Sequence, residues 1–158
     1  MSERLLLRWP PVPGEPELVT VETQVRIERP VDAVFDFATD ASLWYRWHPA
    51  TRAVSNTVPR PLRVGEQVTE SIRAGGRSFD ATWTVLACKP PRLWVIATAT
   101  GQGDSRIIYE LAPEGGGTRF KRRLAYRSRG WPWSAFDRNL TRWVLTRQSA
   151  RVPTRLPI

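Results

Sequence analysis

The sequence predicts an α+β domain in which a seven-stranded antiparallel sheet curves around a C-terminal helix, with two short helices after the first strand. Three observations predict it. Val19, Val21, Thr23, Val25 and Ile27 alternate with Thr20, Glu22, Gln24, Arg26 and Glu28, the period of a strand with one buried face. Two short helical patterns follow directly, between Pro30 and Pro49. Strand-like runs then succeed one another from Thr51 to Arg127 with only Gly- and Pro-containing turns between them, as in an antiparallel meander.

Residues 1–17 carry Pro10, Pro11, Pro13, Pro16 and Gly14, a composition that sustains neither helix nor central strand. They read as a Pro-rich extension before a single domain spanning 18–158. After the first strand, Pro30 suits the first position of a helix, Asp32 complements its dipole, and Val31, Val34, Phe35 and Ala38 share a face. Asp40 is a candidate N-cap for a second helix with Leu43, Trp44 and Trp47, which must stop near His48 because Pro49 disfavours helical dihedrals before it. The following strands are expected at Thr51–Thr57, Glu66–Arg73, Arg77–Cys88, Leu93–Thr100, Ser105–Ala112 and Thr118–Arg127. Gly75-Gly76 make a hairpin turn, and Gly115 to Gly117 make another. The last helix begins near Pro132 and runs to Arg151, with Trp133, Phe136, Leu140, Trp143 and Val144 forming its apolar stripe.

The run IERPVDAVFDFATDASLWYRWHP, the later GGGTRF and the late helix resemble the START-like (SRPBCC) superfamily of polyketide cyclases/dehydrases, lipid-transfer domains and Bet v 1 allergens. The likeness covers residues 18–151 and implies the helix-grip fold, with a ligand cavity between sheet and helix. Such a scaffold specifies shape rather than one catalytic set. One departure is that Pro153 and Pro157 end the last helix early, which implies a more open cavity end or a shortened chain.

One domain of 158 residues buries enough surface to fold without staples, and the lone Cys88 forms no disulfide within the chain. Neither a metal nor a cofactor is expected; a lone Cys88 with no His partner at metal-ligand spacing argues against a zinc site. With no signal-peptide pattern and no membrane span of apolar residues, a cytoplasmic location is the expectation. The net charge of +9 comes from 24 basic residues, all arginine except Lys89 and Lys121. Such an excess suits nucleic acid or other anionic partners. The arginines are spread along the chain and no RNA-binding fingerprint accompanies them, so nucleic acid is not the favoured partner.

Strand parity sorts the candidate site residues. Phe79, Ala81, Trp83 and Val85 share a face, as do Ile107, Tyr109 and Leu111, and Phe120, Arg122, Leu124 and Tyr126. Arg122 is therefore carried inward by its own register, and Glu70 is carried inward between Val68 and Ile72. A buried charge needs a partner or a wet cavity, so these two either orient a ligand among aromatic rings or reach the rim. His48 is the only imidazole available for proton transfer, although a histidine without an assigned carboxylate more often caps a helix end. The expected ligand-facing set is Trp44, Trp47, His48, Glu70, Phe79, Trp83, Tyr109, Arg122, Tyr126 and Trp143, with no catalytic residue assigned.

Three functions remain open: a carrier or sensor of a small hydrophobic molecule, lipid-, polyketide- or polycyclic-aromatic-like; a cyclase/dehydrase-like enzyme using the same cavity; and a basic protein docking on RNA or the ribosome. The first fits the implied cavity best.

Overall fold

A computed structural model of the chain describes residues 13–14, 18–74, 77–100 and 103–128. The expectations for residues 1–12 and 15–17, the Gly75-Gly76 turn, Gly101, the helix over residues 132–151 and Trp143 lie outside the described residues.

Strand β1 spans Val19–Ile27, with its wet residues outward as the alternation requires. Helix α1 covers Val31–Thr39 and buries Val34, Phe35, Phe37 and Ala38. Pro30 stands just before the helix rather than at its first helical position, with extended ψ of 147°. Its carbonyl accepts the first helical bond from Val34 N–H at 3.1 Å, so its missing N–H costs the helix nothing. Asp40 caps the next element through Oδ1, which accepts from Ser42 N–H at 2.9 Å and from the Ser42 hydroxyl at 2.6 Å. That element is a 3-10 helix, Ala41–Arg46, tighter than an α-helix and complete in two turns.

Six strands follow: β2 Thr51–Ser55, β3 Gln67–Ala74, β4 Arg77–Lys89, β5 Leu93–Thr100, β6 Gly103–Glu114 and β7 Gly117–Ser128. They form one sheet in the order β1-β7-β6-β5-β4-β3-β2, with every neighbouring pair antiparallel. Gly115 and Gly116 take the positive φ of the β6–β7 turn. Gly117 is required by proximity, since a Cβ there would stand 2.5 Å from the Ile27 carbonyl oxygen.

The main core lies on one face of the sheet, where Trp94, Ile96, Tyr109, Leu111 and Phe120 pack with Phe35, Phe37 and Trp44 from the helices. A smaller cluster of Ala87, Leu93, Val95 and Ile108 occupies the opposite face, in register with Val95 opposite Ile108. Register breaks at Val85/Ala87 and at Thr51/Ala53 bend β4 and β2. Curvature follows from a single side chain. β3 and β7 are separated by three strands, about 19 Å across a flat sheet, yet His48 approaches both Glu70 on β3 and Arg122 on β7. The sheet therefore curls into a half-barrel around its main core.

Candidate functional site

The site is assembled by the turn that ends the 3-10 helix. Trp47 N–H and His48 N–H both bond the Trp44 carbonyl, at 3.1 and 2.8 Å, and Thr51 N–H then bonds the His48 carbonyl at 3.1 Å. This tight turn stacks the side chains of His48 and Thr51, whose Nδ1 and Oγ1 lie 2.8 Å apart. The Thr51 hydroxyl donates to Glu70 Oε1, and Trp83 Nε1–H donates to Glu70 Oε2 at 2.8 Å. His48 Nδ1 is also 3.5 Å from Glu70 Oε1. On the far side of the ring, Arg122 faces His48 Nε2 at 3.3 Å. A guanidinium only donates, so Nε2 must accept from it, and the ring proton then sits on Nδ1, directed at Thr51. The result is one hydrogen-bonded chain running from Arg122 through His48 and Thr51 to Glu70, closed by Trp83.

Both charged groups are buried: Glu70 is 3% and Arg122 4% exposed. Burial alone would push the Glu70 carboxyl up, but the hydrogen bond from His48, with donors from Thr51 and Trp83, outweighs it and holds the group below its ordinary value. Glu70 is thus kept as a carboxylate. Burial pushes the Tyr109 phenol the other way, up to about 12, against the opposing pull of Arg122. Tyr109 stands directly opposite Arg122 in the β6–β7 register and stays a neutral O–H donor. Aromatic rings complete this wall. Tyr109 stacks on Trp94 with centroids 5.4 Å apart and meets Phe120 edge-on at 5.1 Å, while Trp47 packs against Tyr109 and Phe120 at 6.1 and 6.2 Å.

The structure therefore brings together Trp47, His48, Glu70, Trp83, Tyr109 and Arg122. Thr51, the hydroxyl that joins His48 to Glu70, is missing from the sequence-derived set. Three expected residues stand elsewhere. Phe79 shares the face of Trp83 but is 37% exposed near the start of β4, away from the buried cluster. Parity fixes the face of a residue and not its depth along the strand. Trp44 is core: its Nε1–H bonds the Ala38 carbonyl at 3.1 Å and its ring meets Trp94 edge-on. Tyr126 is buried on the same face as Arg122 but four residues along β7, about 13 Å away.

Ion pairs cover part of the outer surface. Lys121 and Arg123 both reach Glu22, Arg119 meets Glu114, and Arg60 forms a two-pronged pair with Glu66. Among the described residues, no group of three His, Cys, Asp or Glu side chains could hold a metal ion, and no helix is long and apolar enough to cross a membrane. The Cys88 thiol is half-buried, and burial raises its pKa, which disfavours a thiolate.

Solved structures share this architecture at low identity. The di-domain ARO/CYC BexL from the BE-7585A biosynthetic pathway superposes with a TM-score of 0.67 at 20% identity, over 85% of this chain and 47% of that one, so the chain spans about half the length of that protein. TTHA0849 from Thermus thermophilus gives 0.69 at 15% identity, over 85% and 97% of the two chains. Major latex-like protein 151 from Panax ginseng gives 0.59 at 14% identity, over 86% and 99%. At these identities the likeness is one of fold. No curated protein matches the chain. Residues 19–156 match the family described as polyketide cyclase / dehydrase and lipid transport, and the chain belongs to that family.

Proposed function

We propose that the concave face of the sheet binds a small hydrophobic molecule carrying one polar group, and that the protein acts as its carrier or sensor. The observation that supports this reading most is the burial of Arg122 within an aromatic wall. It faces the His48 ring, and the chain to Glu70 runs through His48 and Thr51. Such a group is positioned to orient a ligand whose apolar body lies on Tyr109, Phe120 and Trp47. The test is a tryptophan-fluorescence titration with flat hydrophobic ligands, comparing the native protein with Arg122→Met. Methionine keeps much of the volume and removes the charge. A ligand-orienting Arg122 predicts at least about a tenfold loss of affinity with a modest change in stability. An unchanged titration defeats the reading.

A second reading is favoured by one specific observation, the Glu70–Thr51–His48 chain. It gives the single imidazole a fixed tautomer and an oriented ring, which a catalytic base requires. In a cyclase/dehydrase-like reaction, Arg122 would turn from His48 Nε2 to a developing enolate, stabilising it together with the Tyr109 hydroxyl, and so free Nε2 to take the proton. His48→Gln separates the two readings. Catalysis predicts that turnover is lost while ligand affinity is kept, and a carrier predicts no turnover in either protein.

A further inference from the structure

Four tryptophans fall in the described part of the main core, and three have a hydrogen-bonded indole. Trp44 bonds the Ala38 carbonyl at 3.1 Å, Trp83 bonds Glu70 at 2.8 Å, and Trp94 bonds the Leu62 carbonyl at 3.2 Å. Trp47 differs. It is only 4% exposed, and its Nε1 is a buried donor with no hydrogen-bond partner among the described residues. A buried N–H left unmet carries the full desolvation penalty of the group, which is why such groups are rare in native folds and demand an explanation.

The acceptors nearby are already engaged. Both Glu70 oxygens receive donors, from Thr51 and from Trp83, and His48 Nε2 receives Arg122. What this wall presents to a newcomer is a donor, the Trp47 N–H, beside an Arg122 guanidinium that is already engaged and a Tyr109 hydroxyl that burial keeps protonated. Trp47 packs against the His48 and Tyr109 rings, so its indole belongs to the same cluster.

We infer that Trp47 anchors an acceptor oxygen of the ligand, of carbonyl or enolate type, so that the site selects oxygen-bearing apolar molecules over hydrocarbons and amines. This rests on the ligand-binding reading above and adds the chemistry of the polar group. A hydrocarbon leaves the indole N–H unmet. An ammonium group sets donors against donors and a positive charge beside Arg122.

The test compares 2-acetylnaphthalene with 2-isopropenylnaphthalene, which replaces the carbonyl oxygen by a CH2 group, and with 2-naphthylmethylamine. The native protein is expected to bind the ketone at least about fivefold more tightly than the alkene, although the alkene is the more hydrophobic, and the amine weakest. In Trp47→Phe the ketone-to-alkene ratio should fall to about one. A nitrogen-15 NMR spectrum of the native protein supplies a readout that needs no variant: the Trp47 indole N–H should move downfield with the ketone and stay in place with the alkene. Equal affinities for ketone and alkene, or an unmoved Trp47 resonance, overturn the inference, including the case in which water alone meets the indole. If none of the three compounds binds, the ligand-binding reading itself falls.

Discussion

Replacing Glu70 by glutamine keeps the shape of the side chain and removes the charge that organises the site. The native carboxylate accepts from the Thr51 hydroxyl and from the Trp83 indole. The indole cannot reverse its role, so the glutamine oxygen must face Trp83 and its amide nitrogen must face Thr51, whose hydroxyl has to turn and accept. Two bonds to a charged acceptor, about 1.5–3 kcal/mol each, become two neutral ones of about 0.5–1.5. The gross loss is about 2–3 kcal/mol, and relief from burying a charge returns part of it, leaving a net destabilisation of about 1–2 kcal/mol. For a chain of this size that lowers Tm by about 2–8 °C. Urea and thermal unfolding at pH 7 measure it. The pH dependence supplies a second reading. Because the folded-state pKa of Glu70 is lowered, its contribution is fully present above the unfolded carboxylate value of about 4.3 and is lost as pH falls through the lower folded value. The gap between native protein and Glu70→Gln must therefore close in acid. A variant as stable as the native protein at pH 7, or more stable, would show that desolvation outweighs the hydrogen bonds and would refute the reasoning.

Three other outcomes follow from the same geometry. Asp40→Ala removes the acceptor of the Ser42 N–H and should cost about 1 kcal/mol in chemical denaturation, with Asp40→Asn recovering most of it. Tyr109 should resist ionisation until about pH 12 by ultraviolet difference absorbance; since an unfolded tyrosine ionises near 10, stability should fall between those two values in the native protein and not in Tyr109→Phe. Gly117→Ala drives a methyl to 2.5 Å from the Ile27 carbonyl, forcing β1 and β7 apart, and should destabilise by about 1–3 kcal/mol in the same unfolding assay.

The strand register was legible because it follows from period-two alternation: β1 has the expected bounds, and the alternation that turns Arg122 and Glu70 inward holds in β7 and β3. The second helical element was legible as a helix with Asp40 as cap, though its 3-10 form was not, since the two helix types share cap residues and differ by a single step of hydrogen bonding. The His48–Thr51–Glu70 chain could not be read from the sequence. It depends on a turn that returns Thr51 N–H to the His48 carbonyl, and on a register break beside Thr51. A Trp-His-Pro exit followed by threonine three residues after the histidine is the signal that could have suggested it. Phe79 shows the limit of parity, because exposure at a strand end depends on what the rest of the fold lays over it.

The most direct test of a ligand site on the concave face is chemical-shift mapping of the native protein during titration with a flat hydrophobic ketone. The account predicts shifts at the Trp47 and Trp83 indoles and at Tyr109 and Arg122, with Val95 and Ile108 on the opposite face of the sheet unchanged. Shifts at Val95 and Ile108 with the four concave residues unmoved would contradict it.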